Sequence, residues 1–107
     1  MNAAEPELRK LVDLELEAAN RENPPFHSPH EGYAVILEEL DETRSAMAVV
    51  GQTVEYLWAD VRLNMQRNFA MRAGALEKNA VRAAAEALQV AAMARKFRQL
   101  GGKLDDA

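Results

Sequence analysis

Five consecutive residues, Glu38-Glu39-Leu40-Asp41-Glu42, hold the densest chemistry in the sequence. On a helix, positions three and four apart lie on one side, so the carboxylates of Glu38, Glu39 and Glu42 converge within a turn. Like charges at that spacing repel unless water screens them or a cation is bound. Val35, Ala46 and Val49 recur on the same side and frame the acids with apolar residues. Hard carboxylate oxygens held in such a strip suit Mg²⁺, which completes its shell with waters and substrate phosphates. Later in the chain, Glu86 offers a fourth carboxylate. Gln89, a turn further on, offers a neutral oxygen, and Arg82, a turn earlier, a guanidinium for Glu86 or for phosphate. The same residues also read as a solvated acidic face and an ordinary Glu86–Arg82 ion pair.

The remaining chemistry-bearing residues point elsewhere. His27 and His30 have a spacing that a transition metal could use, but no third ligand accompanies them, and they read as loop and first-turn residues. Trp58 and the set Met47, Met65, Met71 and Met93 read as packing groups rather than as a base pocket. Lys78, Arg95 and Lys96 read as solvated helix positions. The chain has no cysteine, which excludes disulfides, thiolate metal sites and cysteine nucleophiles. It shows no Ser-His-Asp combination and no glycine-rich phosphate loop. Any catalysis therefore rests on a metal, with no other catalytic residue identified.

These groups must be positioned by helices. Pro6 suits a first turn, and Leu8, Leu11, Val12, Leu16 and Ala19 recur at helical spacing, predicting a helix over about 6–21. Pro24-Pro25 ends it. Ser28-Pro29-His30-Glu31 reads as a capping box. From it a helix is expected over about 29–67, with a main stripe of Tyr33, Ile36, Leu37, Leu40, Met47, Val50, Val54, Leu57, Trp58, Val61 and Met65. Unbroken, it would be about 58 Å long, against a radius of gyration near 13 Å for a compact domain of this size. Either a break near Gly51 or, as we favour, a partner chain covering the overhang is expected. After a link at 68–74, a third helix is expected over about 75–100, with one seam through Leu76, Ala80, Ala83, Ala87, Val90, Ala94 and Phe97 and a second through Val81, Ala84, Leu88 and Ala91. That width predicts a heavily buried helix, stopped by Gly101-Gly102.

The expected fold is all-α, a single domain over 1–107: a helix bundle with one long central helix, completed by oligomerisation. Of the 107 residues 49% are hydrophobic, and the formal net charge is −4. That charge argues against a nucleic-acid binder. No apolar run approaches the roughly 20 residues of a membrane span, and the acidic start lacks the features of a signal peptide. A cytoplasmic protein is expected. Acids crowd residues 5–42 and bases dominate 62–103, which favours pairing within or between chains and attraction of phosphates.

The two acidic motifs resemble those of the MazG-like all-α nucleoside-triphosphate pyrophosphohydrolases, which carry E-E-x-x-E on one helix and E-x-x-D on a later one. Glu38-Glu39-Leu40-Asp41-Glu42 matches the first motif. Glu86-Ala87-Leu88-Gln89 matches the second in part, with Gln89 where the family has an acid. The stretches His30–Leu37 and Glu86–Ala94 look like those of small phage and prophage members, and the resemblance spans about 26–98. It implies a Mg²⁺ (or Mn²⁺) site on Glu38, Glu39, Glu42 and Glu86, with Gln89 and Arg82 auxiliary. It also implies a nucleotide substrate hydrolysed to monophosphate and pyrophosphate, and a homo-oligomer, dimer or tetramer. Gln89 lacks the missing acid's charge, so weakened metal binding and impaired turnover are expected. The alternative is a non-catalytic helical oligomerisation module of the same fold.

Overall fold

The computed structural model describes the backbone of residues 2–106 and the side chains of residues 2–100. Every regular element among them is helical: α1 (Glu5–Glu22), α2 (Pro29–Arg62), a 3₁₀ turn (Gln66–Asn68) and α3 (Phe69–Asp106). No helix among the described residues is long and apolar enough to cross a membrane. The chain divides into two compact units, residues 1–40 with 87–107, and residues 41–86.

In the first unit, α1 begins with Pro6 in its first turn and with Glu5 and Glu7, whose charges suit the positive end of the helix. It ends at Asn23, which is extended, as a residue before proline must be. The capping box then starts α2. The Ser28 hydroxyl accepts from the Glu31 backbone N–H (3.1 Å), and the Glu31 carboxylate accepts from the His27 N–H (3.3 Å). The core gathers Val12 and Leu16 of α1, Phe26 of the connection, and Ala92 and Met93 of α3, with Val35, Ile36, Leu88 and Phe97 packed against them. Gly32 is demanded by this packing: a Cβ there would meet Phe97 at 2.6 Å and Phe26 at 2.9 Å.

The second unit is a hairpin whose inner face is polar. Thr53 of α2 is buried. Its hydroxyl donates to the Val49 carbonyl (2.8 Å) and accepts from the Asn79 amide of α3 (2.9 Å). Two turns on, buried Asp60 accepts from Arg72 Nε (2.7 Å) and from the Asn68 amide (3.2 Å). The Arg72 guanidinium also lies over the Tyr56 ring, 5.2 Å from its centre. The Arg72 hydrogen bond and charge, aided by Asn68, hold the Asp60 carboxyl below its usual range despite its burial. The step from Thr53 to Asp60 on α2 matches the step back from Asn79 to Arg72 on α3, so the two pairs define one antiparallel register. Ala83 is the one buried apolar side chain among the described residues of this unit.

Several expectations are corrected. α2 ends at Arg62, not near 67. Asn64 takes a left-handed conformation (φ 55), and the Asn64 and Met65 N–H groups bond back to the Val61 and Asp60 carbonyls. That is the Schellman arrangement, with asparagine in the place glycine more often fills. α3 begins at Phe69 rather than near 75, and runs through Gly101 and Gly102 to Asp106. Glycine permits a left-handed stop but does not force one. α2 does not break at Gly51, where an added Cβ would meet nothing within 4 Å. The expected main stripe of α2 is packed only in part: Ile36 lies against the core of the first unit. Tyr33, Met47, Val54, Trp58 and Val61 are exposed, Trp58 by 61%, while the face carrying Val35, Thr53 and Asp60 turns inward. On α3 the second seam is likewise open in the hairpin, with Val81 65% exposed. Lys96, expected to be solvated, is buried, and Arg95 pairs with Asp13 of α1.

Two outcomes follow. Gly32→Ala should destabilise the fold by about 1–3 kcal/mol through overpacking, whereas Gly51→Ala should stabilise the chain by about 0.5–1 kcal/mol through helix propensity alone. Urea unfolding of both variants checks the contrast; a gain from both would remove the Phe26–Phe97 constraint. Because the Asp60 pKa is lower when folded, its contribution is complete above the unfolded value near 4 and is lost as pH falls through the folded one. Asp60→Asn should therefore lower Tm at pH 7 and by clearly less near pH 2, as thermal melts across that range would read.

Candidate functional site

The hairpin register decides which acids meet. Continuing two turns from Thr53 back to Ala46, and forward from Asn79 to Glu86, sets Ala46 opposite Glu86, with Glu42 one turn away on the same side of α2. Carboxylate oxygens of Glu42 and Glu86 accordingly come within 4.8 Å of each other. Glu39, one turn before Glu42 on the same unbroken helix, brings an oxygen within that distance of Glu42. Glu42 is exposed, while Glu39 and Glu86 are half-buried.

A recess of about 420 Å³ opens beside this pair, lined by Asp41, Glu42, Ser45, Ala46, Val49, Asn79, Arg82 and Glu86. Arg82 is exposed and shares the recess with Glu86. No ion pair joins the two among the described residues, so the guanidinium is available to another anion. The recess thus combines the carboxylates of Asp41, Glu42 and Glu86 with the Arg82 guanidinium and the Asn79 carboxamide. Oxygens that share one octahedral Mg²⁺ lie about 3–4 Å apart, given bonds of about 2.1 Å. The exposed Glu42 side chain is free to change rotamer toward that spacing, so the donor set fits a hard divalent cation with waters completing its shell.

The other residues singled out in the sequence lie elsewhere. Glu38 is exposed and lines a recess of the first unit with Glu31, Val35, Met93 and Lys96. The Gln89 carboxamide donates to Glu15 of α1 (2.5 Å), so one of its N–H groups is engaged within the first unit. His27 and His30 are exposed, and neither belongs to a metal-competent cluster among the described residues. Sequence reasoning missed Asn79 and Ser45 as lining groups. Only the register set by Thr53–Asn79 and Asp60–Arg72 brings them to the acids, and neither pairing has a local signature.

Comparison of the chain with family models, with curated proteins and with solved structures gave no match in any of the three, so geometry and residue chemistry alone speak for its function.

Proposed function

We propose that the protein is a Mg²⁺-dependent nucleoside-triphosphate pyrophosphohydrolase of the MazG-like type, working as a homo-oligomer with weakened metal binding. The observation that carries this reading is the approach of Glu42 to Glu86 beside Arg82 in one recess. Glu42 and Glu86 would hold the ion, with Glu39 of the preceding turn of α2 as a further oxygen ligand. When bound, the ion polarises phosphate oxygens and lowers the pKa of water. Arg82 takes a phosphate of the triphosphate by a charge-assisted hydrogen bond, and the second N–H of the Asn79 amide orients a neighbouring oxygen. Water adds to the α-phosphorus as the bond to the bridging oxygen breaks, so the triphosphate and one water yield monophosphate and pyrophosphate. Gln89, bonded to Glu15, adds no charge to the recess, which supports slow turnover.

Pyrophosphate release from a nucleotide panel with Mg²⁺ or Mn²⁺ tests the reading. Glu42→Gln and Glu86→Gln should each cost at least about 100-fold in turnover, the loss of several kcal/mol of charge stabilisation. Absence of release from the wild-type chain, together with no metal-dependent rise in Tm, rejects it.

A second reading, a non-catalytic self-assembly module, is favoured by the exposed α2 stripe. Met47, Val54, Trp58 and Val61 are each 46–61% exposed on one side of the helix, a contiguous apolar patch of the kind that marks an interface. The hairpin unit buries one apolar side chain among its described residues, too little core for two helices to stand alone. A second copy packing stripe on stripe would supply the missing layer through an isologous contact. Both readings predict a dimer or larger at micromolar concentration by sedimentation, and Val54→Lys with Trp58→Lys should shift it to monomer. A monomeric wild type would remove the assembly from both. Replacing Glu38, Glu39 and Glu42 together by Gln separates the readings: metal-dependent stabilisation vanishes under the first, and folding is unchanged or improved under the second.

A further inference from the structure

Lys96 is the most deeply placed cation among the described residues, only 5% exposed. A lysine so buried ordinarily pairs with a carboxylate, because stripping its charge of water is unfavourable. Here no carboxylate or hydrogen-bond partner is recorded for it among the described residues. Its ammonium instead lies over the Phe26 ring, 4.8 Å from the centre. Glu31 and Glu38 line a recess on one side of it without forming an ion pair with it.

Lys96 also lines a second recess of about 470 Å³, within the size range of small-molecule sites. Its lining contains Asn20, Asn23, Gln99, Phe26, Leu100 and Lys96, with no acid among the described residues. It therefore carries one positive charge, three carboxamides and an aromatic and aliphatic wall. All of its members belong to the first unit, and none is Glu39, Glu42 or Glu86.

We infer that this recess is a binding site for a small organic anion, with its phosphate or carboxylate on the Lys96 ammonium and its apolar body against Phe26 and Leu100. The charge chooses the ligand's head, since a buried ammonium held over a ring with no carboxylate beside it among the described residues gains more from an anion than from water. The carboxamides of Asn20, Asn23 and Gln99 satisfy the remaining oxygens at the rim. The site needs no metal and no turnover, so it stands or falls separately from the hydrolase reading.

Phenyl phosphate and benzoate, two aromatic anions differing in head group, probe it in metal-free buffer. Titration followed by side-chain amide resonances should shift Asn20, Asn23 and Gln99 with at least one of them, and the arm that binds identifies the head group. Lys96→Met keeps the side chain's length and should weaken binding roughly ten- to a hundredfold, the loss of one charged hydrogen bond. If that variant does not fold, Asn20→Leu, exposed on α1, should weaken binding with the melting profile retained. Glu42→Gln should bind like wild type. The inference is overturned if neither probe binds at millimolar concentration, if Lys96→Met binds as tightly as wild type, or if it melts higher and the wild-type chain is silent to both probes.

Discussion

The register of α2 against α3 in the hairpin is keyed by hydrogen bonds to buried polar side chains. Thr53 with Asn79, and Asp60 with Arg72 and Asn68, are two fixed points at matching intervals along two antiparallel helices. Buried polar groups carry a large penalty when left unmatched, so a slip of either helix would orphan Thr53 and Asp60 together. An apolar seam tolerates such slippage far better, because its contacts lack direction. The register in turn determines that Glu42 meets Glu86 and that Arg82 and Asn79 border the same recess.

The second consequence is the orientation of α2. Within the hairpin its apolar side chains Met47, Val54, Trp58 and Val61 are exposed. The less apolar side is turned inward because it holds the groups that can satisfy Asn79 and Arg72. In the first unit, by contrast, Val12, Leu16, Phe26, Ala92 and Met93 build an ordinary apolar core, and Gly32 lets two aromatic rings close over the start of α2. The two units therefore hold together by different physics.

What the sequence disclosed follows the same division. Local signals were legible. Pro6, Pro24-Pro25 and the Ser28–Glu31 box marked the ends of α1 and the start of α2, because each acts through a few neighbouring residues. Helical spacing put Glu39 and Glu42 on one side of α2, but it carried no information on which residue of α3 lies opposite them. Signals that depend on a partner element were not legible. The apolar stripe held for Ile36 but failed for Met47, Val54, Trp58 and Val61, since periodicity reports where apolar residues lie and not which side the neighbouring helix can satisfy. Asn64 ended α2 early through a left-handed conformation that asparagine adopts only sometimes. Gln89 drew its partner from α1, more than seventy positions away. Lys96 read as a solvated cation, although the run Ala91-Ala92-Met93-Ala94 before it placed it on a helix with a buried side.

A hairpin keyed at a few polar points should show an unusual pattern of mutational tolerance. In a common amphipathic helix, apolar positions are fixed and polar ones drift. Along the second half of α2 that order is reversed for the hairpin itself: Thr53 and Asp60 admit almost no replacement, whereas side-chain volume at Val54 or Trp58 can vary without disturbing the pairing with α3. Any restriction on those outer positions would have to come from outside the hairpin, and a survey of viable substitutions would separate constraint imposed by folding from constraint imposed by association.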